Sequence, residues 1–225
     1  MRTGKISVGE YCHVFNSGNG GELIFQDERD RIRFLFLILY LQSPCPVHHI
    51  SSYIDYFKKN RRFNVSGKIL DRLSEKSPLV EIINFCLMPN HFHLTLREKT
   101  ESGVSRYMHK VLVSYTKYFN TKYRKIGHLF AGTFRMQPVT KNTDLLPLSA
   151  HIHKSPKELP EWRSRPHLYP WSSYQDYISE NRFAPLLSRE AVLQKFKTGD
   201  EYKKFVETSK DWEIESLLEK LPPPH

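Results

Sequence analysis

The chain has 225 residues, 39% of them hydrophobic, which is enough for one sizeable core. Its 34 Lys and Arg against 24 Asp and Glu leave a net charge of +10, which favours a polyanionic partner such as nucleic acid. Three widely spaced cysteines with no CxxC pair argue against a disulfide framework or a cysteine-rich zinc module, and the longest apolar run, residues 34–41, is too short to span a bilayer. With no signal-type apolar core after Met1, a cytoplasmic setting is expected.

Residues 11–15 alternate and then meet Asn16-Ser17-Gly18-Asn19-Gly20-Gly21, which reads as a first strand entering a glycine-rich turn. Residues 27–42 read as a helix, with Asp27 as candidate N-cap and Phe34, Leu35, Ile38 and Leu41 as its apolar stripe. Ser43-Pro44-Cys45-Pro46 ends it. The polar stretch 47–78 is expected to hold two short helices around Val65-Ser66-Gly67, an elaboration on the core. Residues 80–87 and 91–97 read as two strands joined by the turn Met88-Pro89-Asn90, a hairpin. Residues 102–123 read as a long helix, with Val104, Met108, Val111, Leu112, Tyr115 and Phe119 at helical spacing. Residues 127–139 read as a loop leading into a strand. Residues 144–154 read as a helix that tolerates Pro147 in its first turn, and 188–221 hold two further amphipathic segments.

The hairpin carries the most informative motif, Cys86-Leu87-Met88-Pro89-Asn90-His91-Phe92-His93-Leu94-Thr95-Leu96. On a strand, residues i and i+2 share a face, so His91 and His93 present two imidazoles side by side while Phe92 and Leu94 turn to the buried face. Imidazole is a common metal ligand, although a lone His-x-His is weak evidence, and His151-Ile152-His153 is a second one. Residues 102–143 contain no Asp or Glu, yet hold Arg106, Lys110, Lys117, Lys122, Arg124, Lys125, Arg135 and Lys141 among several aromatics. Such a window suits phosphate contact, with aromatics available to stack on bases. Tyr115 and Phe119 read as core, Trp171 as a packing residue and His153 as a solvent-exposed helix residue.

The order strand, helix, strand, Leu87-Met88-Pro89-Asn90-His91-Phe92-His93-Leu94, long basic helix resembles the single-tyrosine HUH transposases, and among them the REP-associated branch (REP, repetitive extragenic palindrome). Similar too are Tyr11-Cys12-His13-Val14-Phe15-Asn16, Ser114-Tyr115-Thr116-Lys117-Tyr118-Phe119-Asn120, Gly127-His128-Leu129-Phe130 and Tyr169-Pro170-Trp171-Ser172-Ser173-Tyr174. The resemblance implies an α+β fold, an antiparallel sheet with helices on one face, of the ferredoxin-like HUH type. It implies residues 1–180 as the HUH domain, a helical insertion at about 43–79 and a helical C-terminal extension, 181–225. It implies DNA as partner, single-stranded and bearing hairpins, and a divalent ion, Mg²⁺ or Mn²⁺, held by the histidine pair and a third polar ligand. A helix tyrosine in such enzymes attacks the phosphate polarised by the ion, forming a 5′-phosphotyrosine and freeing a 3′-OH.

The chain departs from that pattern at His151-Ile152-His153-Lys154-Ser155-Pro156, where the family has Tyr-Ile-His-x-Asn-Pro. His151 stands at the tyrosine position and Ser155 at that of the third ligand, one helical turn on. Three readings stay open. The chain is a domesticated relative that binds DNA without cutting it, as a regulator or hairpin-binding module. Or Tyr115, Tyr118 or Tyr123 replaces the nucleophile. Or His151 joins His91 and His93, as a ligand in a site better suited to Zn²⁺ or Mn²⁺ than Mg²⁺, or as a phosphate acceptor. The bets for metal are His91 and His93, with Ser155 as third; those for DNA are Arg106, Lys110, Lys117, Lys122, Arg124, Lys125 and Arg135.

Overall fold

The computed structural model describes residues 6–44, 50–60 and 77–209. Four strands, β1 (Tyr11–Ser17), β2 (Val80–Leu87), β3 (His91–Glu98) and β4 (Arg135–Val139), form one antiparallel sheet in the order β2-β3-β1-β4. With helices after β1 and β3, this is the ferredoxin-like arrangement expected from the resemblance. Residues directly opposite each other across an antiparallel ladder share a face. The register therefore puts Cys12, Val14, Phe92, Leu94, Leu96 and Met136 on one face, and His13, Phe15, His91, His93 and Arg135 on the other.

The first face is covered by α1 (Glu28–Tyr40) and α3 (Gly103–Tyr123), with Phe34, Phe92, Tyr115 and Met108 buried between them. Asp27 caps α1 in a capping box: its side chain accepts from the Asp30 amide at 3.0 Å, and the Asp30 carboxylate accepts from the Asp27 amide at 3.3 Å. The amides opening α3 are satisfied by buried Glu98, which accepts from Gly103 and Val104, each at 2.9 Å. Gly103 is obligatory there, since a Cβ would lie 2.1 Å from the Leu79 carbonyl oxygen. Helix α2 (Ile50–Asn60) packs Ile54 against Ile32, Phe36 and Tyr40 on the outer side of α1. The second helix expected in the 43–79 insertion, after Val65-Ser66-Gly67, lies outside the described residues.

The pairing of helices with one face describes α1 and α3; the second face is also partly covered. Helix α4 (Leu145–Lys154) lies over β2 and β3, joined by α5 (Tyr174–Ile178), α6 (Glu190–Leu193) and α7 (Gly199–Thr208). Ile83, Leu145, Ala150, Tyr174, Tyr177, Val192, Tyr202 and Val206 form one cluster, so residues 190–208 share a core with the sheet instead of trailing from it. The edge of β2 is shielded as well: the Leu87 amide donates to the Trp171 carbonyl, the Ser173 amide to the Phe85 carbonyl and the Ser188 amide to the Ile82 carbonyl.

His153, expected at the helix surface, is fully buried. It is hydrogen-bonded to the Tyr202 hydroxyl at 2.7 Å and the Ser173 hydroxyl at 2.9 Å, and lies flat on Tyr174 with ring centroids 5.0 Å apart. The expectation fails because the C-terminal helices, distant in sequence, cover that side of α4. Among the described residues no helix is long and apolar enough to cross a membrane.

Candidate metal and nucleic-acid site

Strand alternation and sheet register bring four imidazoles together. His91 and His93 project from β3, with ring centroids 5.0 Å apart and rings nearly perpendicular. β1 contributes His13, whose ring stacks on His93 at 5.1 Å with His13 Nε2 and His93 Nδ1 2.9 Å apart. From α4, His151 sets its ring edge-on to His93 at 5.6 Å and to His13 at 6.4 Å. Phe15 closes one side, stacked on His13 at 4.9 Å, with the Arg135 guanidinium 5.9 Å from its ring centre.

Burial sets the charge of this cluster. His13 is pushed down to about 3, first by burial and then by His151. His91 is pushed down to about 4 for the same two reasons. His93 lies well below the usual imidazole range, through burial first and then the neighbouring His13, His91 and His151. All three are neutral at pH 7, so each carries a lone pair, the form in which imidazole binds metal. His91 Nδ1–H donates to Asn90 Oδ1 at 2.8 Å, which leaves Nε2 of that ring bare.

Two neutral imidazoles with engaged Nδ1 atoms fit part of a divalent-ion site. Among the described residues no three His, Cys, Asp or Glu side chains are arranged to hold an ion without movement. The cluster is also all nitrogen, which suits Mn²⁺ or Zn²⁺ better than oxygen-seeking Mg²⁺. Ser155, the expected third ligand, is buried and donates its hydroxyl to the His151 carbonyl at 3.3 Å, within its own helix.

The substitute tyrosines lie across the sheet. Tyr115 is buried in the first-face core, its hydroxyl donating to the Ile24 carbonyl. Tyr118 and Tyr123 both donate to buried Asp30, at 3.1 and 2.7 Å. Burial leads the causes that raise all three phenols, Tyr123 to about 12, the opposite of what a nucleophile needs. Lys122 binds the same Asp30 at 2.7 Å and Asp27 at 2.6 Å, a clasp between the ends of α1 and α3. Of the other basic residues, Arg106, Lys110 and Lys117 are exposed on α3, Arg124 forms its left-handed cap and Lys125 pairs with Glu22. Arg135 alone among the seven shares a sheet face with the histidines.

His13 and Phe15 lie in the stretch Tyr11–Asn16 that carries part of the resemblance, but that stretch assigned them no place in the site. Their signal is alternation with buried Cys12 and Val14, and which strand they meet is set by the register, Phe15 opposite His93 and His13 opposite Thr95.

Residues 49–154 match the family model described as "Transposase IS200 like". That span takes in the His91/His93 hairpin, α3, β4 and α4. No curated protein matches the sequence. The fold is similar to a solved REP-associated tyrosine transposase bound to a REP hairpin, at 13% identity and a TM-score of 0.52, over 84% of this chain and 90% of that one.

Proposed function

We propose that this chain, a relative of the IS200-like transposases through residues 49–154, is a hairpin-DNA-binding protein that does not form a phosphotyrosine. DNA lies against the sheet face bearing His13, His91, His93 and Arg135, and His91 and His93 hold a divalent ion, Mn²⁺ or Zn²⁺. The observation that carries this reading is the company of His93: its ring neighbours are His13, Phe15, His91 and His151, while Tyr115, Tyr118 and Tyr123 are hydrogen-bonded on the far side of the sheet. When bound, such an ion supplies Lewis-acid polarisation of a phosphate oxygen. The protein's own part is to anchor the backbone through Arg135 and to offer uncharged nitrogens inside a shielded cluster. The hairpin bound by the solved relative supports the choice of DNA partner.

The test uses the full chain, a labelled single-stranded oligonucleotide with a hairpin, and Mn²⁺. A salt-sensitive complex is expected, with no adduct surviving SDS. A covalent adduct overturns the silent reading, absence of binding at low salt overturns the DNA reading, and equal competition by an RNA hairpin overturns the choice of DNA.

One observation favours a second reading: His151 reaches to 5.6 Å from His93, ring centre to ring centre. There His151 completes the ligand set or accepts the phosphate. His151→Ala then weakens Mn²⁺ binding, or abolishes an acid-labile adduct, whereas an acid-stable adduct assigns a tyrosine.

A further inference from the structure

One register row crosses the second sheet face from β2 to β4: Asn84, Thr95, His13, Gln137. The register shift between Ile82 and Asn84 turns both Ile83 and Asn84 onto this face. Asn84, Thr95 and His13 are almost wholly buried. Among the described residues, both amide atoms of Asn84, Thr95 Oγ1 and His13 Nδ1 have no hydrogen-bond partner. A buried polar row of this kind is destabilising unless its members are joined, directly or through ordered water. At its inner end His13 Nε2 lies 2.9 Å from His93 Nδ1.

A neutral imidazole has one proton, and a hydrogen bond between two of them needs one ring to give and the other to accept. A His93 that offers Nε2 to a metal carries its proton on Nδ1, and a neutral His13 facing that proton carries its own on Nδ1. His13 Nε2 is then the acceptor, and His93 Nδ1 the donor. We propose that His13 is a positioning residue: by accepting from His93 Nδ1–H it holds His93 in the tautomer whose Nε2 is bare and fixes the direction in which that nitrogen points. Asn90 does the same for His91. A histidine thus occupies the orienting position that a carboxylate or carbonyl usually fills behind a ligand imidazole. The inference rests on the metal-binding reading above and deepens it.

Two measurements on the full chain test it. In the metal-free ¹⁵N-labelled protein at pH 7.5, long-range ¹H–¹⁵N correlation is expected to find His13, His91 and His93 all protonated on Nδ1. A His93 protonated on Nε2 overturns the proposal. Mn²⁺ affinity, read by electron paramagnetic resonance, is expected to fall about 10- to 100-fold in His13→Phe and to recover largely in His13→Gln, whose Oε1 restores an acceptor. Wild-type affinity in a folded His13→Phe overturns it, and so does a folded His13→Gln as weak as His13→Phe. If His13→Phe fails to fold, the tautomer of His93 decides. A wild-type chain that binds no Mn²⁺ overturns the underlying metal reading, while the tautomer still decides the role of His13.

Discussion

His13, His91 and His93 are kept neutral by burial first and then by neighbouring imidazoles, His151 for all three and also His13 and His91 for His93, and that uncharged state makes a set of imidazoles useful to a cation. His91→Ala and His93→Ala are each expected to lower Mn²⁺ affinity at least about 10-fold while leaving the thermal midpoint near that of the wild type, a pair of titrations that separates ligand loss from unfolding. The tyrosines are a contrast at the same scale. Tyr115 has its hydroxyl inside the first-face core, donating to Ile24. Tyr115→Phe is expected to reduce stability by about 1 kcal/mol in urea unfolding and to leave hairpin binding unchanged, because it removes a buried hydrogen bond far from the histidines.

At the scale of elements, two junctions hold the site in place. The turn from β3 into α3 depends on Gly103, and Gly103→Ala is expected to cost about 2 kcal/mol or more in urea unfolding, because the new methyl meets backbone. The second junction is the buried link Ser149–Tyr202–His153–Ser173, which ties α7 to α4 and α4 to the β2 edge. Burial lowers His153 to about 3 in the fold, against an ordinary value of 6.5. Below pH 6.5 the unfolded chain takes up a proton that the native state refuses. The stabilising contribution is therefore complete above pH 6.5 and declines as the pH falls towards about 3. Unfolding free energy measured across that window is expected to fall with a slope from His153 of about 1 kcal/mol per pH unit, and His153→Gln should remove that part of the slope.

For the molecule as a whole, a charge of +10 predicts, under the proposed function, an affinity for DNA that falls as salt rises. Which residues carry that dependence tells where the DNA lies. Arg135 stands beside Phe15 on the histidine face, whereas Lys110 and Lys117 point outward from α3 on the other side of the sheet. Arg135→Ala is expected to reduce the slope of log affinity against log salt by about 1, and the paired Lys110→Ala and Lys117→Ala to leave it unchanged. The reverse pattern would lay the DNA along α3.

Much of this was legible in the chain itself, because it depends on local signals. Asp27 and Asp30 mark the start of α1, the apolar spacing from Val104 to Phe119 marks α3, and strict alternation around His91 and His93 marks which side of β3 they occupy. The motif from Met88 to His93 also carried the resemblance, and it lies within the residues 49–154 that match the family model. What tertiary structure alone decided is long-range. The β1–β3 register brought His13 beside His93 across 80 positions of sequence. The docking of α7 buried a histidine that its own helix pattern left at the surface, and the packing of α3 turned Tyr115 away from the cluster. Periodicity tells which face of an element a side chain takes; which other element meets that face depends on the free energy of packing the whole chain.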